Sequence, residues 1–411
     1  MRLHSGDGRR GTGIVTRVRA STLIRAGAGA GETSTTARDP QLRVLLACDH
    51  LLRYTTGLAN GLAERGCRVA LLVRDHDHDF GGEPRAMQRY LDRDLDQRVD
   101  RVTIGGRVRD LAASRAVLAA RRRLAKPGFD VVHLQDSVVT DPRLSWVTGP
   151  SRRGYSLTVH DPSLHPGDRA PSPAQRWLRR RLIRNASLIF VHGEAMRHEL
   201  VRLESPPSPI VAVPLGSETG EFTPLPDQPS LLFFGRISPY KGLDLLLDAM
   251  PRVWARLPDL RLTIAGRGEL PRHQALGDGR IEVAQGHVPD ADVAELFARA
   301  TCVVLPYRQA SQSAVGSLAL QHGRAVVATA VGALPELVTQ RVGRVVAPGD
   351  AVELANALVE VVGTPGLAER LGRDAAAESV GWDQVAERTI EAYAQHMPSR
   401  AARRQITGAP A

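Results

Sequence analysis

The chain has 411 residues, of which 43% are hydrophobic and 24% charged, and a formal net charge of +10. At about 150 residues per domain this length implies two or three domains, and the composition excludes a wholly disordered chain and a disulfide-stapled miniature fold. Cys48, Cys67 and Cys302 are widely spaced without metal-ligand spacing, and no apolar run reaches the about eighteen residues of a membrane-spanning helix, so a cytoplasmic chain is expected, soluble or lying on a surface.

Residues 1–40 hold Arg, Gly, Ser and Thr around no compact apolar stretch, which predicts a disordered leader rather than a secretory signal. Apolar runs at 42–48 (LRVLLAC) and 68–73 (RVALLV) flank a helical stretch at 56–65 that Gly66 terminates. A His/Asp-rich loop runs from Asp75 to Asp79, followed by a strand at 102–104, a helix at 109–125 and a strand at 131–134. Strands at 156–159 and 188–191 enclose a helix at 173–185, and another helix is expected at 194–202. Prolines from Pro206 to Pro229 then mark a linker. Beyond it, strands are predicted at 231–234, 261–265, 281–283, 302–305 and 325–328. Helices are predicted at 242–256, 291–299, 313–322, 335–339, 351–361, 366–371 and 382–396. This alternation predicts an α/β chain with two doubly wound parallel sheets and ligands beyond the carboxyl ends of their strands.

Charge is placed unevenly. Residues 41–215 carry 28 basic against 19 acidic side chains, whereas residues 216–411 carry 19 against 22. A basic first unit suits an anionic substrate, an anionic membrane surface or nucleic acid. A general drift toward arginine, which supplies 52 of the 54 basic residues, is the alternative. No zinc-finger, helix-turn-helix or RNA-binding signature accompanies the charge, so nucleic acid is not expected as a partner. Helix 173–185 sets Trp177 among five arginines and reads either as a face for anionic headgroups or as an ordinary surface helix. Two lysines stand out against this background: Lys126, at an expected helix end, and Lys241.

Lys241 lies in the chemically richest segment, 231–250 (LLFFGRISPYKGLDLLLDAM). A buried strand ends at Gly235, and Arg236 and Lys241 occupy the loop before an amphipathic helix. Gly235 permits a sharp turn, and Gly242 leaves the helix start uncrowded. A planar guanidinium, a point-charge ammonium and free helix N–H groups suit a diphosphate; a solvated turn is the reading that spacing alone leaves open. In the first unit, LTVHDP places His160 and Asp161 just past a strand end. A histidine there can contact a sugar or an acceptor hydroxyl, and the carboxylate can orient it. His133, in VVHLQD, ends another strand. The Asp75–Asp79 loop resembles a metal motif by composition only, and no metal site is expected.

The segment at 235–242 resembles the G-R-x(4)-K-G donor-phosphate motif of family-4 glycosyltransferases, and the likeness runs from about residue 42 to 396. Ala265-Gly266-Arg267-Gly268, residues 289–307 (PDADVAELFARATCVVLPY) and residues 311–338 (SQSAVGSLALQHGRAVVATAVGALPELV) resemble further parts of that family's nucleotide site. The resemblance implies the GT-B fold, two Rossmann-like domains facing a central cleft. An acceptor domain would span 41–215 and a nucleotide-sugar domain 216–380. Residues 381–397 would form a closing helix that returns to the first domain, anchored by Trp382 and Tyr393, and 398–411 a disordered tail. It also implies retaining, metal-independent transfer from a nucleotide-diphosphate sugar, without a cofactor, to a glycan or lipid-linked glycan acceptor in cell-envelope or exopolysaccharide synthesis. Peripheral contact with anionic membrane at the inner face of the cell membrane would accompany this role.

By the same resemblance, Gly235, Arg236, Lys241, Gly266, Ser311, Gln312, Ser313, Ala314 and Val315 would bind the donor. His160, Arg236 and Lys241 would act in catalysis, and His160, Asp161 and His133 would lie on the acceptor side. The chain departs from the family in two places. Many members carry two glutamates eight positions apart, and the corresponding residues are Ala310 and Leu318; a subgroup reads Ser-Gln-Ser-Gly where this chain reads Ser311-Gln312-Ser313-Ala314. The usual Gly-Gly pair of the first-strand loop is replaced by Asp49-His50-Leu51-Leu52-Arg53-Tyr54. Glu336 reads as a helix cap or dipole partner rather than a catalytic acid. A sugar-nucleotide epimerase on the same architecture and a non-catalytic nucleotide-sugar-binding protein are the rival readings.

Overall fold

The computed structural model describes residues 41–75, 80, 84–105, 111–125, 128–136, 143–144, 154–166 and 170–397. The leader at 1–40, the tail at 398–411, Lys126 and residues 76–79 of the His/Asp-rich loop lie outside the described residues.

The first sheet contains β1 (Arg43–Ala47), β2 (Arg68–Arg74), β3 (Asp100–Ile104), β4 (Val131–Gln135), β5 (Ser156–Thr158), β6 (Leu188–Val191) and β7 (Ile210–Ala212). Its strands lie in the order β3-β2-β1-β4-β5-β6-β7 and every pair is parallel. The helices of this domain are α1 (Leu52–Glu64), α2 (Pro84–Asp94), α3 (Leu111–Ala125), α4 (Pro173–Asn185) and α5 (Glu194–Glu204). The second sheet contains β8 (Ser230–Phe234), β9 (Arg261–Gly266), β10 (Ile281–Gln285), β11 (Cys302–Leu305), β12 (Ala325–Thr329) and β13 (Gly343–Val346), in the parallel order β10-β9-β8-β11-β12-β13. Its helices are α6 (Leu243–Trp254), α7 (Asp290–Ala298), α8 (Ala314–Gln321), α9 (Leu334–Leu337), α10 (Ala351–Gly363) and α11 (Leu367–Glu378), and α12 (Trp382–His396) closes the chain.

The apolar runs become central strands because helices cover both of their faces, so alternate residues of one strand enter two separate cores. Val44 and Leu46 pack on the α1 side, while Leu45 and Ala47 pack on the α3 and α4 side. Each sheet reverses its strand order once, between β1 and β4 and between β8 and β11, which opens a crevice at the carboxyl ends of those strands.

Three elements go beyond the sequence expectation. Helix α2 is strongly polar, with Met87 and Leu91 its fully buried side chains, so no apolar run announces it. Strand β7 lies inside the proline-rich linker; three residues at a sheet edge form it between Pro209 and Pro214, a place where prolines are tolerated. Strand β13 is likewise a short edge strand.

Helix α12 packs along α1, and small residues make the approach possible. A Cβ on Gly57 would lie 2.1 Å from the Trp382 indole, and one on Gly61 would lie 2.4 Å from the Trp382 carbonyl oxygen. Glycine inside a helix costs about 1 kcal/mol relative to alanine, which the close contact with α12 offsets. Tyr393 reaches further, to His133 on β4.

Candidate functional site

Backbone geometry at the end of β8 presents the two cations. Gly235 has φ 108° and Gly266, at the end of β9, has φ 143°. A Cβ on Gly266 would lie 1.8 Å from the Gly235 carbonyl oxygen, so the two strand ends meet at a distance only glycine permits. The chain then makes a short 3-10 turn, Pro239–Lys241, and passes through Gly242 at φ 68°, where a Cβ would lie 1.9 Å from the Pro306 carbonyl oxygen. This tight passage sets Lys241 against the residues that follow β11.

The side chains converge on Tyr240. Arg236 donates from Nη2 to the Tyr240 hydroxyl at 2.9 Å, with its Cζ 5.5 Å from the ring centroid. Lys241 Nζ lies 5.4 Å from the Tyr240 centroid and 3.8 Å from that of Tyr307. Burial pushes the Lys241 ammonium down to about 8, and the nearby Arg236 guanidinium lowers it further; Tyr240 and Asp161 oppose the shift. Two cations held close together, one of them half-buried, form a site that gains from an anion. Arg236 itself is exposed and lines a cavity of about 520 Å³ with Ser238, Tyr240, Asp244, Glu269 and Pro166, the last contributed by the first domain.

The loop before α8 forms the facing wall. Ser313 is the N-cap of α8; its hydroxyl accepts from the Gly316 N–H at 3.1 Å and lies 3.3 Å from the Tyr307 hydroxyl. That hydroxyl caps its own helix as an acceptor, which leaves its O–H to donate elsewhere. Val315 is buried, with Cγ2 3.3 Å from where a Cβ on Gly235 would sit, so its side chain belongs to the core. Ala314 is exposed at the helix start. Gln312 is half-buried, and among the described residues its Oε1 has no hydrogen-bond partner. It lines a second cavity of about 360 Å³ between the domains, with His192, Ser317, Glu336 and Thr339.

The first domain's histidines sit deeper than the sequence suggested. His133 is 1% exposed; Nδ1 lies 2.6 Å from the Tyr393 hydroxyl and Nε2 2.6 Å from Thr158 Oγ1. Burial holds its pKa down to about 3, so it is a neutral core residue pinning α12 to the sheet and not part of an acceptor surface. His160 is 4% exposed, with Nε2 2.7 Å from Gln135 Oε1 and Nδ1 2.9 Å from His192 Nε2. With His192 Nδ1–H donating to the Val213 carbonyl at 3.3 Å, His192 Nε2 accepts from His160 Nδ1–H, and the Gln135 amide, turned over, donates to His160 Nε2. Burial, and then the neighbouring His192, push the pKa of His160 well below the ordinary histidine value, so it is neutral and already engaged at both nitrogens. Tyr54 closes over the pair, its centroid 4.8 Å from that of His160 and 5.0 Å from that of His192.

Asp161 does not orient His160, the role its sequence position suggested. Its Oδ1 lies 3.1 Å from Nε2 of His165. Burial would raise the pKa of Asp161, but hydrogen bonds from His165 and Ser311 hold it below the usual carboxylate value. Asp136, at the end of β4, is raised by burial although Arg179 reaches it at 3.4 Å. In the first-strand loop Leu51 occupies the left-handed region at φ 66° and its carbonyl accepts from Thr55, so α1 begins at Leu52, earlier than expected.

Several contacts join the domains across the gap. Arg53 pairs with Asp290 at 2.8 Å. The His165 ring stacks on Tyr240 at 4.9 Å and 13°. Glu336 accepts from the backbone N–H groups of Glu194 at 2.8 Å and Ala195 at 2.7 Å. It is therefore a cap, as expected, but for α5 of the opposite domain, whose own N-cap residue, Gly193, has no side chain to offer. Sequence reasoning missed Tyr240, Tyr307, His165 and His192; the only signal for the first was its place beside Lys241, and for His165 its place four residues after Asp161.

Two facing doubly wound domains, with cations gathered at the carboxyl ends of the second sheet, have the GT-B architecture. Residues 228–364 match the family model described as glycosyl transferases group 1, and residues 51–216 match that described as a glycosyl transferase 4-like domain. A D-inositol 3-phosphate glycosyltransferase of Kribbella flavida is 30% identical over 68% of this chain and 74% of that protein. A glycogen synthase of Mycobacterium tuberculosis is 27% identical over 69% and 74%. Among solved structures, a sucrose-phosphate synthase from Thermosynechococcus elongatus superposes with a TM-score of 0.65 at 21% identity, over 86% of this chain and 99% of that one. Anabaena HepE in complex with UDP-glucose gives 0.63 at 16%, over 86% and 100%. The chain belongs to the group 1 glycosyltransferases.

Proposed function

We propose that the protein transfers a sugar, with retention of anomeric configuration, from a nucleotide-diphosphate donor to a glycan or lipid-linked glycan in cell-envelope or exopolysaccharide synthesis. The observation that carries this reading is the convergence of Arg236 and Lys241 on Tyr240 at the mouth of the second sheet. The leaving group is a nucleoside diphosphate, and charge growing on its oxygens is stabilised by the ammonium and the guanidinium. Binding an anion restores Lys241 to full protonation, so the cation is strongest when the site is filled. These side-chain charges serve the leaving group without a divalent ion, and chelator is expected to leave the rate unchanged. Gly235, Gly266 and the backbone around Ser311 and Ala314 shape the donor wall, and the Gln312 amide oxygen is placed to accept from a sugar hydroxyl. On the other side, Asp161 and Asp136 shape the acceptor wall. That HepE was crystallised with UDP-glucose supports a uridine donor as the first to test.

Helix α4 supports an acceptor on the membrane side. Trp177 is 64% exposed, with the Arg181 guanidinium 5.6 Å from its ring, while Leu182 and Ile183 face the core. A tryptophan left in solvent among arginines fits anionic headgroups, which supports peripheral contact with the inner face of the cell membrane. Among the described residues no single helix is long and apolar enough to cross a membrane. A thermal-shift panel of uridine, guanosine and adenosine diphosphates and their sugars, followed by transfer assays on the donor that stabilises most, tests the reading. Stabilisation by none of them would overturn it; conversion of a donor to its epimer without acceptor would favour an epimerase.

A further inference from the structure

The anion clamp is not built by the second domain alone. His165, in the loop after β5, spans the gap: Nε2 lies 3.1 Å from Asp161 Oδ1 and 3.4 Å from Ser311 Oγ of the second domain. Its ring is nearly parallel to that of Tyr240, stacked at 4.9 Å between centroids. Tyr240 in turn accepts from Arg236 and flanks Lys241. The neighbouring Pro166 completes the wall of the cavity that Arg236 lines. One imidazole thus touches the aromatic ring both cations share and, through Ser311, the loop that faces them.

We propose that His165 is a positioning residue that couples closure of the two domains to the anion clamp: docked on Tyr240, it fixes the ring against which Arg236 and Lys241 are aimed. With the domains apart, Tyr240 loses its stacking partner and the Arg236 guanidinium loses a fixed acceptor, so the clamp is assembled only when the first domain arrives. A ligand that needs both cations then favours the closed arrangement, because only that arrangement presents them together. Arg236 and Lys241 would touch the ligand; His165 acts on them through Tyr240.

This inference rests on the diphosphate reading of the same site, and inorganic pyrophosphate is a probe that bypasses the identity of the nucleobase. Its affinity is measured by calorimetry for the full chain and for Lys241→Ala, His165→Ala, His165→Phe and His165→Gln. The proposal expects His165→Ala to bind about threefold to tenfold more weakly, the range of an aromatic pair. His165→Phe, which keeps the stack, should recover to within about twofold of the parent, whereas His165→Gln, which keeps only a hydrogen bond, should not. A role in stability alone would lower the melting temperature without this pattern. If Lys241→Ala binds pyrophosphate as well as the parent, the diphosphate reading itself fails. If Lys241→Ala loses binding while His165→Ala matches the parent, or Gln rescues better than Phe, only the role of His165 is overturned. Should His165→Ala be poorly folded, the Phe and Gln pair decides the matter alone.

Discussion

The two walls of the gap have the same architecture and opposite electrostatics. In the first domain His160 and His192 bond each other under Tyr54, His133 bonds Tyr393 and Thr158, and all three are buried and neutral. In the second, Arg236 is exposed and Lys241 is held beside aromatic faces without a carboxylate bonded to it in the contacts described above. Polar groups at strand ends are therefore not equivalent. Those covered by neighbouring side chains become structural, and those left at the opening stay charged.

The largest effect should come from removing the charge that remains. Lys241→Ala is expected to lower the transfer rate by at least about a hundredfold, the scale of losing one preorganised charge at a developing anion, with little change in melting temperature. An unchanged rate would erase the distinction between the walls. Removing structural polarity should do the reverse. Tyr393→Phe leaves His133 Nδ1 without its partner and should destabilise the fold by about 1–3 kcal/mol, read by denaturant unfolding, while donor affinity holds. The pH response sharpens the contrast. Lys241 is cationic below about 8 and neutral above it, so pyrophosphate affinity should fall as pH rises through that value. The neighbours that shape this titration are Arg236, Tyr240, Tyr307 and Asp161, and Lys241→Arg should flatten the curve. The smallest effect belongs to the first-strand loop. Leu51→Gly relieves a left-handed leucine and should raise stability by about 0.5–1 kcal/mol.

The alternation of strands and helices was legible because burial on two faces writes continuous apolar runs, as at 231–234 and 302–305. Short edge strands such as β7 and β13 bury little and leave no such trace. In the site, Gly235, Arg236, Lys241 and Gly242 are readable because backbone geometry fixes their spacing locally. His133 and His160 were misread because a strand-end histidine looks available until a helix from the far end of the chain covers it; His133 and Tyr393 are 260 positions apart. Beyond their places beside Lys241 and four residues after Asp161, Tyr240 and His165 carried no signal, since what they do depends on which ring meets which across the gap. Glu336 was placed in the right role on the wrong helix for the same reason.

Helix α5 is completed only by that glutamate, 142 positions downstream of the first N–H it receives. The amino-terminal half of the polypeptide therefore leaves the ribosome with one helix unfinished. Dissecting the molecule into separately expressed halves should yield a first half that frays at residues 194 and 195, and re-mixing the halves should suppress amide exchange there.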